Sequence, residues 1–282
     1  TALVGGRYSY TATLLSLIAP EVELAYHDYQ ARASYDLSPD DRVSVLSFGS
    51  YDLLGRKRGE DLTVLFGSEF YRLDVRYDHA FAGGGLHTAI TLGLDQTRNE
   101  FLAGEQRNVM THMIGGRTEL GTALSDDAVL RAGTDLTFEE YSLSDAKYAD
   151  PDSPETRDFN RLFPARNDLV LGVWADLVLD VAPGIEVIPG LRADLYRSGD
   201  ASAVGVDPPI PARFGLSNAV RIVHAYGLVH QPPAFVLPVP GLTPGNLAGG
   251  LQRSLQSSAG VEVDVADATS GHAAWWRGRA KR

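Results

Sequence analysis

The chain has 282 residues, 44% of them hydrophobic, with a net charge of −11 and a pI near 5.0. It is long enough for one or two domains, and its acidity argues against a general nucleic-acid binder. Cysteine is absent, which excludes disulfides, thiolate metal sites and cysteine nucleophiles. No run of about 18 apolar residues predicts a transmembrane helix. The N-terminus lacks a charged stretch followed by an apolar one, so no signal peptide is visible.

Taken in chain order, the sequence alternates. Tyr29, Ala31, Ala33, Tyr35 and Leu37 share one face, against Gln30, Arg32, Ser34 and Asp36. Tyr71, Leu73, Val75 and Tyr77 oppose Arg72, Asp74, Arg76 and Asp78. The same period-two pattern carries Leu86 to Leu94, Leu130 to Phe138, Leu169 to Val181, Ile185 to Leu195 and Ala259 to Val265. Period two is the signature of a strand with one oily and one wet face. No segment shows a capped helical period. About twelve strands are predicted, near 2–14, 23–37, 42–55, 64–80, 85–100, 109–123, 128–143, 168–181, 185–198, 213–219, 221–230 and 251–265.

Short connections rich in turn formers (38–41, 80–85, 125–127, 182–184) alternate with long ones (56–64, 100–108, 143–167, 198–212, 231–250). In an antiparallel meander all short turns then lie at one end and all long loops at the other, the layout of an outer-membrane barrel. Several alternating runs exceed the ~5–6 residues usual for globular strands and reach the ~9–11 that cross a bilayer. The expected fold is therefore all-β: an antiparallel up-and-down transmembrane β-barrel over residues 1–265, incomplete at about twelve strands. Its oily face, including Tyr71, Leu73, Val75, Leu171, Val173 and Leu177, would meet outer-membrane lipid. Residues 266–282, with Trp275–Trp276 and a basic end, are expected to be an unstructured or out-of-pattern tail.

The stretches "AYGLVHQPP" (225–233) and "GLTPGNLAGGLQRSLQSSAGVEVD" (241–264) resemble the late barrel region of TonB-dependent outer-membrane receptors. "GGRYSYTATLLSLIAPEVELAYHDYQ" (5–30) resembles an upstream hairpin of the same group. The resemblance implies uptake of a scarce nutrient such as a siderophore, energised by the TonB complex through a plug domain. The family combines a 22-stranded barrel with that plug and a TonB-box peptide. Neither plug nor box is visible here, so the chain is expected to be a barrel fragment. A passive outer-membrane pore or structural barrel without energy coupling is the alternative.

The candidate residues follow from the wet faces. Arg72, Asp74, Arg76, Asp78, Arg131, Asp135, Arg192 and Asp194 are expected to face the lumen, where opposite charges can form ladders across water. Tyr148, Arg157, His230 and Gln231 are expected in extracellular loops. No cofactor or metal is expected: none of the seven histidines forms a tight ligand pair, and His224 and His230 would lie about 20 Å apart along a strand. "GGRYSY" and "AFAGGGLH" open no helix, as a phosphate loop must. No G-x-S-x-G elbow is present, and the serines lack a distinctive context, so an enzyme is not expected. Siderophore, cobalamin, carbohydrate and peptide all stay open as ligands.

Overall fold

The computed structural model describes residues 1–102, 105–147, 152–162, 165–217, 219–233, 247–265 and 269–281. The chain forms β1 (Ala2–Tyr8), α1 (Thr11–Ile18), β2 (Val22–Asp36), β3 (Asp41–Arg58), β4 (Asp61–Phe81), β5 (Gly84–Leu102), β6 (Glu105–Ser125) and β7 (Ala128–Lys147). There follow α2 (Pro154–Leu162), β8 (Arg166–Ala182), β9 (Ile185–Val187), β10 (Gly190–Ser198), β11 (Ala201–Asp207), β12 (Ile210–Gly215) and β13 (Val220–Gln231). A single 3-10 turn, Leu247–Gly249, then precedes β14 (Gln252–Val265) and β15 (Thr269–Lys281).

All strands belong to one antiparallel up-and-down sheet, ordered β1 through β9, then β12 to β15, with β10 and β11 beside β8. Among the described residues β1 ends the strand order on one side and β15 on the other. The break between β9 and β10 falls at Pro189, which has no N–H for the ladder. Pro208–Pro209 separates β11 from β12 for the same reason. The ladder is carried past these prolines by Ile188 N–H to the Pro211 carbonyl (2.8 Å) and Gly190 N–H to the Pro209 carbonyl (3.0 Å).

Four expectations are corrected. Residues 11–18, expected to continue the first strand, form α1, because Leu14, Leu17 and Ile18 recur at helical spacing. The helix stops before Pro20, which drives Ala19 out of the helical conformation (φ −135°, ψ 78°). The long connections expected at 56–64 and 198–212 are two-residue turns, at Gly59–Glu60 and Gly199–Asp200. Gly59 (φ +65°) and Gly199 (φ +55°) sit in the left-handed region that such turns require. The strand expected at 185–198 is interrupted as described. Finally, residues 269–281 pair with β14 from Thr269 opposite Val265 to Lys281 opposite Arg253. Their alternation is unreadable in sequence, so only the partner strand reveals them.

Contacts divide the chain into two units. The first comprises residues 1–78, 88–116 and 137–168; the second comprises 79–87, 117–136 and 169–282. Neither has an ordinary apolar core. Among the described residues no large side chain is fully buried, and the buried apolar ones are only Leu53, Val64, Tyr196 and Leu247. Asp74, Asp194 and Asp207 are buried instead, while Leu73, Val75, Leu171 and Val173 are exposed. In a water-soluble fold this arrangement would be inverted.

Candidate functional site

In the first unit, β4 places Arg72, Asp74, Arg76 and Asp78 on one face by simple alternation. Their pairing is not a ladder along the strand alone. Arg76 pairs with Asp74 two residues back, and Thr91 on β5 donates to the same carboxylate at 2.7 Å. Arg72 instead reaches across to Asp95 of β5 at 2.8 Å. A cavity of 600 Å³ opens beside Asp74 and Arg76, lined also by Gln30, Arg32, Ser44 and Leu46.

In the second unit, Arg131 of β7 holds Asp176 of β8 through two hydrogen bonds of 2.7 and 3.0 Å. Arg192 of β10 grips Asp194 in the same forked way (2.8 and 2.7 Å) and donates to Asp135 of β7 at 2.6 Å. Arg117 adds a second cation 3.7 Å from Asp135. The Arg192–Asp194 pair lies directly over Gly172 of β8; a Cβ there would collide with both side chains. Asp194 is only 2% exposed. The guanidinium fork satisfies both oxygens of this buried carboxyl group.

Asp207, at the end of β11, was not singled out in the sequence. It accepts the backbone N–H of His230 (3.1 Å to one oxygen, 3.3 Å to the other) and lies 2.6 Å from the His230 Nδ1. The Tyr196 hydroxyl donates to the His230 carbonyl at 3.2 Å. His230 and Gln231 therefore end strand β13 and do not belong to a loop, and Gln231 donates to Gln252 of β14 at 2.9 Å. Arg157 is exposed on α2, within the β7–β8 connection. That helix is capped by Ser153, whose Oγ accepts the Thr156 N–H at 3.1 Å. Tyr148 lies outside the described residues.

Of the eight charged candidates, the fold joins Arg192 with Asp135 and Asp194, and Arg76 with Asp74. Arg72 and Arg131 pair with Asp95 and Asp176, which were not on the candidate list. Their signal was present, since both occupy the wet parity of their strands, but parity does not say which strand lies opposite.

The other face carries aromatic side chains at two levels in the first unit. Tyr29 and Tyr71 approach to 6.5 Å across β3. They meet over Gly49, where any Cβ would strike both rings. Six residues further along their strands, about 20 Å, stand Tyr35 and Tyr77, the latter donating to Asp41 at 2.6 Å. Between the two levels the face presents Ala31, Ala33, Leu73 and Val75. Beyond Tyr29 and Tyr71, Tyr8, His27 and Tyr51 stack in a row, with ring separations of 6.5 and 5.0 Å. Lipid–water interfaces select such amphipathic rings above and below an apolar band.

No protein-family profile matches the sequence. No curated protein matches it either. Solved structures do. The chain is similar to the FrpB iron transporter from Neisseria meningitidis (F3-3 variant; 10% identity, TM-score 0.66, 86% of this chain and 43% of that one). It is similar to a mutant ferric enterobactin receptor, PfeA, from Pseudomonas aeruginosa in complex with enterobactin (12% identity, TM-score 0.67, 87% and 41%). It is also similar to the copper transporter OprC (14% identity, TM-score 0.65, 91% and 44%). The chain spans less than half the length of these proteins. With one oily face, charges paired on the other face and an antiparallel meander that matches these structures over most of its length, the chain has the strand fold of the barrels in these transporters and receptors.

Proposed function

We propose that the chain forms barrel wall of an outer-membrane TonB-dependent receptor that takes up a scarce small-molecule nutrient such as a siderophore. The observation that carries this reading is the inverted amphipathicity: exposed Leu73, Val75, Leu171 and Val173 against the buried, paired Asp74 and Asp194. On this reading the apolar face meets lipid, and Arg72, Asp74, Arg76, Asp78, Arg131, Asp135, Arg192 and Asp194 line the lumen. Fixed pairs leave the lumen wall polar yet nearly neutral, so a charged solute is not trapped by a single strong site. The α2 connection would lie outside the cell and the 37–40 turn in the periplasm. Ligand capture would fall to the outer connections, and energy coupling to a plug domain in contact with TonB. The similar structures are an iron transporter, a ferric enterobactin receptor and a copper transporter, which favours transport or reception over catalysis.

Uptake separates this from a passive pore. Cells deprived of their own iron receptors and supplied with the gene encoding this chain should accumulate ferric siderophore only when TonB is intact. Accumulation that persists without TonB would indicate an uncoupled pore; membrane-free expression of a soluble protein would refute both.

A further inference from the structure

The connection between β1 and β2 carries an exposed apolar stripe that neither the sheet nor the proposed transport explains. Between Arg7 and Glu21 no side chain is charged. Within this stretch Tyr10, Leu14, Leu17 and Ile18 fall at i, i+4, i+7 and i+8, which is one face of a helix. They are 74%, 54%, 78% and 84% exposed. The helix has eight residues, no side-chain N-cap, no acidic residue in its first turn and no basic one in its last. A single short helix of this kind is marginal in water, and its apolar stripe would be in contact with solvent.

Its position indicates what covers it. Tyr8 ends β1 opposite His27, on the same outward parity as Tyr29. His27 lies two residues, about 7 Å along the strand, beyond the Tyr29–Tyr71 level. The helix begins three residues after Tyr8. It therefore emerges just beyond the aromatic rim of the apolar band, past the Tyr8–His27–Tyr51 row. Interfacial helices sink their apolar faces about 5–10 Å into the headgroup and acyl boundary, a region that a stripe just beyond the aromatic rim can reach.

We infer that α1 is an interfacial anchor, with Tyr10, Leu14, Leu17 and Ile18 seated in the outer rim of the lipid bilayer. This rests on the barrel reading above. Without charge on its other face, binding is driven by apolar burial rather than by attraction to anionic lipid, so it persists in zwitterionic membranes and in high salt. It would fix the height of the first hairpin in the bilayer.

The chain has no cysteine, so single cysteines can carry a bimane probe. Leu17→Cys, Val75→Cys and Asp40→Cys would each be refolded with phosphatidylcholine vesicles. Quenching would be compared for aqueous iodide, a nitroxide near the headgroup and a nitroxide deep in the acyl chain. The expected result is that Leu17→Cys is quenched several-fold more by the shallow nitroxide than by the deep one, and little by iodide. Val75→Cys should respond most to the deep nitroxide, and Asp40→Cys to iodide alone. Iodide quenching of Leu17→Cys as strong as at Asp40→Cys, with Val75→Cys still deep, would overturn the anchor and leave the barrel intact. Shielding of Leu17→Cys from all three quenchers would also overturn it, since another protein segment would then cover the helix. Iodide access at Val75→Cys would refute the barrel reading and the anchor with it. Leu14→Cys lies on the same stripe and must give the same ranking, which guards against a local folding defect at Leu17.

Discussion

At the scale of single residues, the decisive feature is a carboxylate buried on the polar face. Asp194 is held by the fork of Arg192, which also serves Asp135. Arg192→Ala strands Asp194, leaves Asp135 with only the more distant Arg117, and is expected to destabilise the chain by about 3–5 kcal/mol. Replacing the pair together, as Arg192→Met with Asp194→Leu, should cost less, because the buried Asp194 charge leaves with its partner and Asp135 keeps Arg117 at 3.7 Å. Urea midpoints of the detergent-folded protein would compare them; equal losses for the single and double variants would show that packing, not pairing, matters here. The opposite face gives the complementary case. Val75→Arg should cost about 2–4 kcal/mol if Val75 lies near the bilayer midplane. Gln30→Arg, which adds the same group beside the cavity next to Asp74, should be tolerated. Equal tolerance at both sites would contradict the lipid-facing assignment.

At the scale of elements, strand length and turn type depend on glycines and prolines. The two-residue turn between β3 and β4 holds Gly59 at φ +65°. Gly59→Val should cost roughly 1–3 kcal/mol of backbone strain, seen as slower refolding into detergent and lower yield, whereas Glu60→Ala beside it should have little effect. The ends of the first unit can be told apart chemically. Ser153 caps α2 in the β7–β8 connection, and Asp40 lies in the β2–β3 turn. The meander puts these connections at opposite ends of the strands. In intact cells a membrane-impermeant maleimide should label Ser153→Cys and spare Asp40→Cys. Labelling of both, or of Asp40→Cys alone, would reverse or dissolve the proposed topology.

At the scale of the whole molecule, the sheet has two edges. Among the described residues β1 pairs only with β2, and β15 only with β14. Unpaired backbone groups cost several kcal/mol each in hydrocarbon, so a sheet with two free edges is a poor membrane solute. The chain expressed alone is expected to insert in low yield, with much of it aggregated, and to lack the compact, heat-modifiable band that closed barrels give on gels. A compact, heat-modifiable monomer in detergent would show that the edges find each other and would contradict the open order.

Much of this was legible in the sequence, for a physical reason. Alternation is local, so runs such as Tyr71 to Tyr77 specify both the strand and which of its faces is oily. Turns such as Pro183–Gly184 are local too, since their dihedral demands are met by the residues themselves. What alternation cannot contain is the identity of the neighbour. Arg72 could have paired with any anion of its wet face; register across 23 residues chose Asp95, and across 45 residues chose Asp176 for Arg131. The His230–Asp207 contact depends on the passage of β13 beside β11, which no local pattern encodes. The sequence likewise shows the uncharged stretch from Tyr8 to Pro20 but not its state, because short apolar runs suit strand and helix equally. By itself, then, the sequence determined the all-β meander and its inverted faces, which rest on interactions between near neighbours in the chain. Only the tertiary structure decided the ion-pair partners, the helix at Thr11–Ile18, the strand at Thr269–Lys281 and the open order of the sheet, because each depends on which distant segment supplies the hydrogen bonds and the opposing charge.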